Sequence, residues 1–145
     1  MFFLLGASLS SSRNPKGVVP MLGLGRGEKC QIYDTNDSNV GYYEFKSNRY
    51  MVYDDNDGVV GYLKPVWIYN GAYRNDKLVA TSTFHGTSAD GHQYVYTNRG
   101  EQAGYTTRKN GELWLYDKNE KWQGRGECND SFNTASAMAL LLNLV

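Results

Sequence analysis

Imidazoles, the side chains most suited to acid-base chemistry near neutral pH, number only two. The two imidazoles, His85 and His92, both sit in Phe84-His85-Gly86-Thr87-Ser88-Ala89-Asp90-Gly91-His92, which places His, Ser and Asp in one run. A Ser/His/Asp set carries out acyl transfer when the nucleophile is held in place and an oxyanion hole faces it. A connection rich in Gly and Ser supplies neither, so this run is read as a surface loop and no catalytic residue is assigned. As zinc ligands the two histidines need further donors such as Asp90 or Cys128, and no metal or cofactor is expected. Asp54-Asp55-Asn56-Asp57-Gly58 resembles a calcium loop, because oxygen ligands at alternate positions suit a hard cation. The twelfth position counted from Asp54 is Pro65 rather than a glutamate, and a hairpin turn demands the same composition. Gly23-Leu24-Gly25-Arg26-Gly27 has neither the preceding strand nor the following helix of a phosphate cradle.

Whatever chemistry there is must be positioned by a single domain, since the chain has 145 residues. Fifteen basic and fifteen acidic residues cancel, which argues against nucleic acid or an anionic membrane surface as partner. At 41% hydrophobic and 21% charged the composition is globular, and sixteen Gly, twelve Tyr and three Pro tilt it toward β structure. Two cysteines, Cys30 and Cys128, are too few for a disulfide scaffold. The longest apolar stretch, Ala135 to Leu142, falls far short of the roughly 20 residues of a transmembrane helix, so no membrane span is expected.

An internal repeat sets the architecture. Gln31-Ile32-Tyr33-Asp34, Met51-Val52-Tyr53-Asp54, Trp67-Ile68-Tyr69-Asn70, Tyr94-Val95-Tyr96-Thr97 and Trp114-Leu115-Tyr116-Asp117 share one pattern that ends in an aliphatic residue, Tyr and a turn former. Eight residues after the Tyr stands Gly41, Gly61, Gly104 or Gly124, while the copy built on Tyr69 has Ala80 after three extra residues. Each copy reads as a β-hairpin, with Asn/Asp/Gly clusters for its turns. Alternation along a strand puts Ile32, Val52, Ile68, Val95 and Leu115 on a core face and the repeat tyrosines on the other, where their rings are expected to cover the small residue of the partner strand.

One hairpin is marginal in water, so five must bury their aliphatic faces together, as a solenoid or a closed ring. Closure is favoured because Cys30 precedes the first copy and Cys128 follows the last, so a ring brings both to its seam and permits a disulfide. The tail points the same way. Residues 131–145 turn helical in composition, with Asp130 or Ser131 as N-cap and Ala135, Met138, Ala139, Leu141 and Leu142 spread around the circumference, so the segment belongs in the hollow between the hairpins.

These residues resemble the small bacterial beta-flower proteins, whose repeats run approximately Ile-Tyr-Asp, a turn, then Val-Gly-Tyr. The nearest copies are Ile32-Tyr33-Asp34 with Val40-Gly41-Tyr42 and Val52-Tyr53-Asp54 with Val60-Gly61-Tyr62, and Ala135 to Leu144 is similar to the short aliphatic tail of that family. The resemblance covers residues 30–145 and implies a fold but no activity. The expected organisation is all-β: an extended N-terminal arm (1–29), five short hairpin repeats in a pseudo-five-fold closed, flower-like arrangement (30–130), and a C-terminal helical plug (131–145).

Two surfaces are candidates for function. The arm carries Phe2, Phe3, Leu4, Leu5, Met21 and Leu22, with Arg13, Lys16, Arg26 and Lys29 against Glu28, and cannot form a core of its own. Its composition, basic and Ser-containing without an acid over 1–27, is also compatible with a presequence, but a retained arm is the expectation. The role that follows is a non-enzymatic structural or interaction module, an accessory subunit that reaches other protein subunits or further copies of itself through residues 1–29. The alternative is a carbohydrate- or peptide-binding module that uses exposed Tyr42, Tyr62, Tyr105 and Trp122, since so many aromatics exceed what one small core holds.

Overall fold

A computed structural model describes residues 28–66, 69–83, 92–128 and 131–145, with only the backbone of 66, 69, 131 and 132. The arm residues Phe2 to Leu22, the Gly23–Gly27 stretch, His85, Ser88, Asp90 and Asp130 lie outside the described residues, as do Trp67 and Ile68.

Ten strands follow one another: β1 (Lys29–Asp34), β2 (Asn39–Lys46), β3 (Arg49–Asp54), β4 (Val59–Val66), β5 (Tyr69–Arg74), β6 (Lys77–Thr83), β7 (Gln93–Thr97), β8 (Gln102–Lys109), β9 (Glu112–Asp117) and β10 (Trp122–Gly126). Each pairs antiparallel with its sequence neighbours, and β1 pairs with β10, so the five hairpins form a closed barrel. Helix α1 (Ser131–Leu141) completes the fold.

Four of the five hairpin turns are built alike. Asp34, Asp54 and Asp117 each accept, at Oδ1, the backbone N–H groups two and four residues on, and the Thr97 hydroxyl does the same. The fourth residue of each turn region is left-handed: Asp37, Asp57, Gly100 and Glu120. The third hairpin uses the two-residue turn Asn75-Asp76, both at positive φ.

That shorter turn reveals a register the sequence pattern missed. Ladder irregularities fall between Ile32 and Tyr33, Val52 and Tyr53, Ala72 and Tyr73, and Val95 and Tyr96. Tyr73, not Tyr69, is therefore the repeat tyrosine of the third hairpin, and Ala72 takes the inward place assigned to Ile68. The tyrosines at 33, 53, 73, 96 and 116 are spaced by 20, 20, 23 and 20 residues, and Ala80 follows its tyrosine one residue early rather than three late.

The inward positions Ile32, Val52, Ala72, Val95 and Leu115 are fully buried. Ten strands enclose more space than side chains alone fill, and α1, about 10 Å across, occupies it. Ala135, Ala137, Met138, Ala139 and Leu140 are all buried, so the helix is apolar around its circumference where it meets the wall. Its polar residues find partners in that wall. Asn70 donates to Asn133 at 2.9 Å, Ser82 and Ser136 share a 2.9 Å hydrogen bond, and so do Tyr43 and Thr134. These bonds fix the rotation and depth of the plug, because a mismatch leaves buried hydroxyls and amides unsatisfied.

The repeat glycines have a different partner from the one expected. Gly41, Gly61, Gly104 and Gly124 direct their missing Cβ inward, against the carbonyl oxygen of the next hairpin's tyrosine (Tyr53, Tyr73, Tyr116 and Tyr33) and against one leucine of the tail each (Leu141, Leu140, Leu144 and Leu142). The tyrosine rings lie on the outer face and do not cover them. Asn143, at φ 56°, ends the helix, and Leu144 N–H donates back to the Ala139 carbonyl, which turns the last residues into the barrel mouth. One leucine thus seats on each of four hairpins.

Gly124 adopts φ 156°, and a Cβ there would also stand 2.8 Å from Leu142 Cδ1. Gly124→Ala combines backbone strain with overpacking, so a loss of about 3 kcal/mol is expected in urea denaturation. A loss under about 1 kcal/mol would mean that the seam tolerates a side chain.

Cys30 and Cys128 are joined by a disulfide with Cα atoms 5.8 Å apart, as closure requires. It sits where the arm enters β1 and where β10 leaves for α1. The adjoining β1–β10 ladder has only three residue pairs, and Arg125 reinforces it on the outside. Its guanidinium lies 4.3 Å from the Tyr33 ring centroid and ion-pairs with Asp37 and, at 2.5 Å, with Glu112.

Candidate binding surface

The hairpin geometry produces an aromatic belt around the barrel. The residue after each repeat glycine faces the tyrosine of the next hairpin: Tyr42 opposite Tyr53, Tyr62 opposite Tyr73, Tyr105 opposite Tyr116, and Arg125 opposite Tyr33. Where both are tyrosines the rings stack, with centroids 5.1, 5.0 and 5.4 Å apart. Cations lie over several of them, Lys29 over Tyr42 and Arg49 over Tyr62. The candidate residues Tyr42, which is buried rather than exposed because Tyr53 and Lys29 cover its ring, Tyr62 and Tyr105 therefore hold adjacent hairpins together, a packing role that explains the repeat without a ligand.

Acidic turn residues complete these clasps. Tyr42 O–H donates to Asp57 at 2.5 Å and Tyr62 O–H to Asp76 at 3.1 Å, just as Arg125 reaches Asp37. Asp57 belongs to the run that resembles a calcium loop, and Asp54 there accepts the Asn56 and Gly58 N–H groups, so both carboxylates serve the hairpin. Among the described residues no group of three or more His, Cys, Asp or Glu is placed to hold a metal ion.

The carboxylate of Asp57, aided by burial, pushes the Tyr42 phenol up to about 12 from its ordinary 10. Because the fold favours the neutral phenol, the stability from this bond is complete below pH 10 and is lost as pH rises toward 12. Tyr42→Phe should therefore lose stability relative to the parent below pH 10, with the difference shrinking above it. Urea melts of both proteins across that window measure it, and parallel curves would refute the coupling.

Around hairpins four and five the belt widens, with two stacked aromatic groups on neighbouring strands. His92 stacks on Tyr105 at 4.4 Å, Tyr105 on Tyr116, and Tyr116 lies directly opposite Trp122 in the β9–β10 ladder. Trp122 stacks on Trp114 at 4.6 Å. Tyr105 and Trp122 are thus brought into one surface, while Tyr42 and Tyr62 stay in separate clasps. The repeat pattern did not single out Trp114, although its place two residues before Tyr116 on the same face was readable.

At the turn end, two open cavities of about 420 and 330 Å³ adjoin the tail residues Leu144 and Val145. Turn residues such as Thr97, Glu101 and Asp117 line them, and neither contains Tyr or Trp. No family model, curated protein or solved structure matches the chain. The functional reading rests on geometry.

Proposed function

We propose that this protein is a non-enzymatic interaction module, an accessory subunit anchored by residues 1–29 and acting through its outer surface. The observation that carries this reading is the filled lumen: α1 occupies the interior that a ligand-carrying barrel leaves open, so partners meet the wall or the ends. The disulfide at the base of the arm supports it further, since a pull on the arm passes through Cys30 to Cys128 and the plug rather than peeling β1 from a three-pair ladder. A disulfide also suits an oxidising compartment. The beta-flower likeness belongs to this proposal as a fold and adds no activity to it.

Light scattering of the full chain beside a chain lacking residues 1–29 tests the reading. A larger assembly that collapses to monomer on deletion is the expected result. Two equally monomeric, folded species would refute anchoring by self-association.

A second reading is favoured by the two neighbouring aromatic groups on β7 to β10, which suit a carbohydrate or a peptide.

A further inference from the structure

Pseudo-symmetry makes departures from the repeat informative, because whatever the fold needs, all five hairpins need. The outward residues two before the repeat tyrosine and two before the small residue stand diagonally across each hairpin ladder, the second directly opposite the tyrosine. They are Gln31 with Asn39, Met51 with Val59, Gly71 with Leu78, Tyr94 with Gln102, and Trp114 with Trp122. Four hairpins carry at most one aromatic ring at these two places, and in the first the two residues share a plain 2.8 Å hydrogen bond from Asn39 to Gln31. Only the fifth has two indoles.

Stacking of the two rings adds stability, but it does not account for an indole at position 114. The Trp114 indole N–H is buried without a hydrogen-bond partner, a situation that is destabilising and that phenylalanine or leucine would avoid. Trp122, by contrast, donates to the Gly124 carbonyl at 2.9 Å, which fixes its ring. Both tryptophans are partly exposed. A buried N–H left without a partner breaks a local rule, and such positions are expected at functional or strained sites.

We propose that the Trp114–Trp122 pair is a subsite for a pyranose ring of a neutral glycan. This rests on the second reading above and names its ligand class and place. A pyranose presents a face of C–H groups with partial positive charge, which matches the negative face of an indole. Its hydroxyls need donors and acceptors at the rim. Lys109 Nζ lies over the face of Trp114, 4.4 Å from its ring centroid, so Trp114 braces the pair and Trp122 offers the stacking face, while Arg125 sits beside Trp114 in the ladder. Arg125 pairs with Glu112 at 2.5 Å and Glu127 at 4.0 Å, and Glu112 is also the ladder neighbour of Lys109. Two cations, Lys109 and Arg125, face three carboxylates, Glu112, Glu127 and the Asp37 that also pairs with Arg125, so the rim rejects an acidic polymer and favours an uncharged hydroxylated partner over it.

The full chain is titrated with cellotetraose, chitotetraose, maltotetraose and mannotetraose, and with an oligogalacturonate as the acidic comparison, by tryptophan fluorescence and calorimetry. At least one neutral oligosaccharide is expected to bind with a Kd on the order of 1 mM. Trp122→Ala should weaken it about tenfold, while Trp122→Phe and the distant Tyr62→Ala stay within about threefold of the parent. Trp114→Phe separates binding from folding: it should hold or raise Tm while weakening the sugar. Binding that Trp122→Ala leaves unchanged would overturn the subsite but keep a sugar-binding module. Binding of the oligogalacturonate alone would overturn the neutral class, and failure of every sugar would overturn the proposal and the carbohydrate reading together. None of these three results affects the arm, which the light-scattering comparison judges separately.

Discussion

A chain lacking residues 131–145 is expected not to fold: no cooperative thermal transition, and exposed apolar surface that binds a hydrophobic dye. The segment supplies Met138 and Leu140, both buried, and Leu141, Leu142 and Leu144, which pack against the core. At roughly 2 kcal/mol for each such side chain, their burial contributes about 10 kcal/mol, and a domain of this kind has only about 5–15 kcal/mol in total. Polar losses add to this, because Asn70, Ser82 and Tyr43 lose the partners that α1 provides. Met138→Ala measures the same effect in a protein that still folds, with an expected loss of about 3 kcal/mol. An unchanged, cooperative melt of the truncated chain would show that the barrel wall stands without its plug.

Replacing Cys30 and Cys128 together by alanine, or reducing them, should lower stability by about 4 kcal/mol. The bridge spans a sequence separation of 98 residues and so encloses nearly the whole barrel. A cross-link over a loop of this length removes much of the freedom of the unfolded chain, and the short β1–β10 ladder alone does not replace it. Urea denaturation with and without reductant reads the effect as a lower midpoint, together with a steeper m-value because the reduced unfolded chain exposes more surface. Midpoints that agree within about 0.5 kcal/mol of stability would mean that Arg125 and the remaining strand contacts hold the seam unaided.

Local residue types carried much of this architecture. Strand alternation and turn composition are properties of neighbouring residues, so the hairpins, the inward row Ile32, Val52, Val95 and Leu115, and the outward tyrosines were readable along the chain. So was the plug, since an apolar helix with no polar face has to be enclosed, and so was the meeting of Cys30 with Cys128. The third hairpin misled because Trp67-Ile68-Tyr69-Asn70 matches the pattern better than Ala72-Tyr73-Arg74 does. Register is fixed by the partner strand, and there Gly61 faces the Tyr73 carbonyl.

The rest depended on contacts between residues far apart in sequence. Which leucine seats on which glycine, why Tyr53 stacks on Tyr42 rather than covering Gly61, and how Asn70 and Ser82 come to face inward all depend on closing the barrel around α1. The candidate surface is of the same kind. Sequence determined that Tyr105 and Trp122 point outward, whereas their union with Tyr116 and Trp114 required three strands to lie side by side in one register. Periodicity determines which way a side chain points, and only the paired backbone decides what stands next to it.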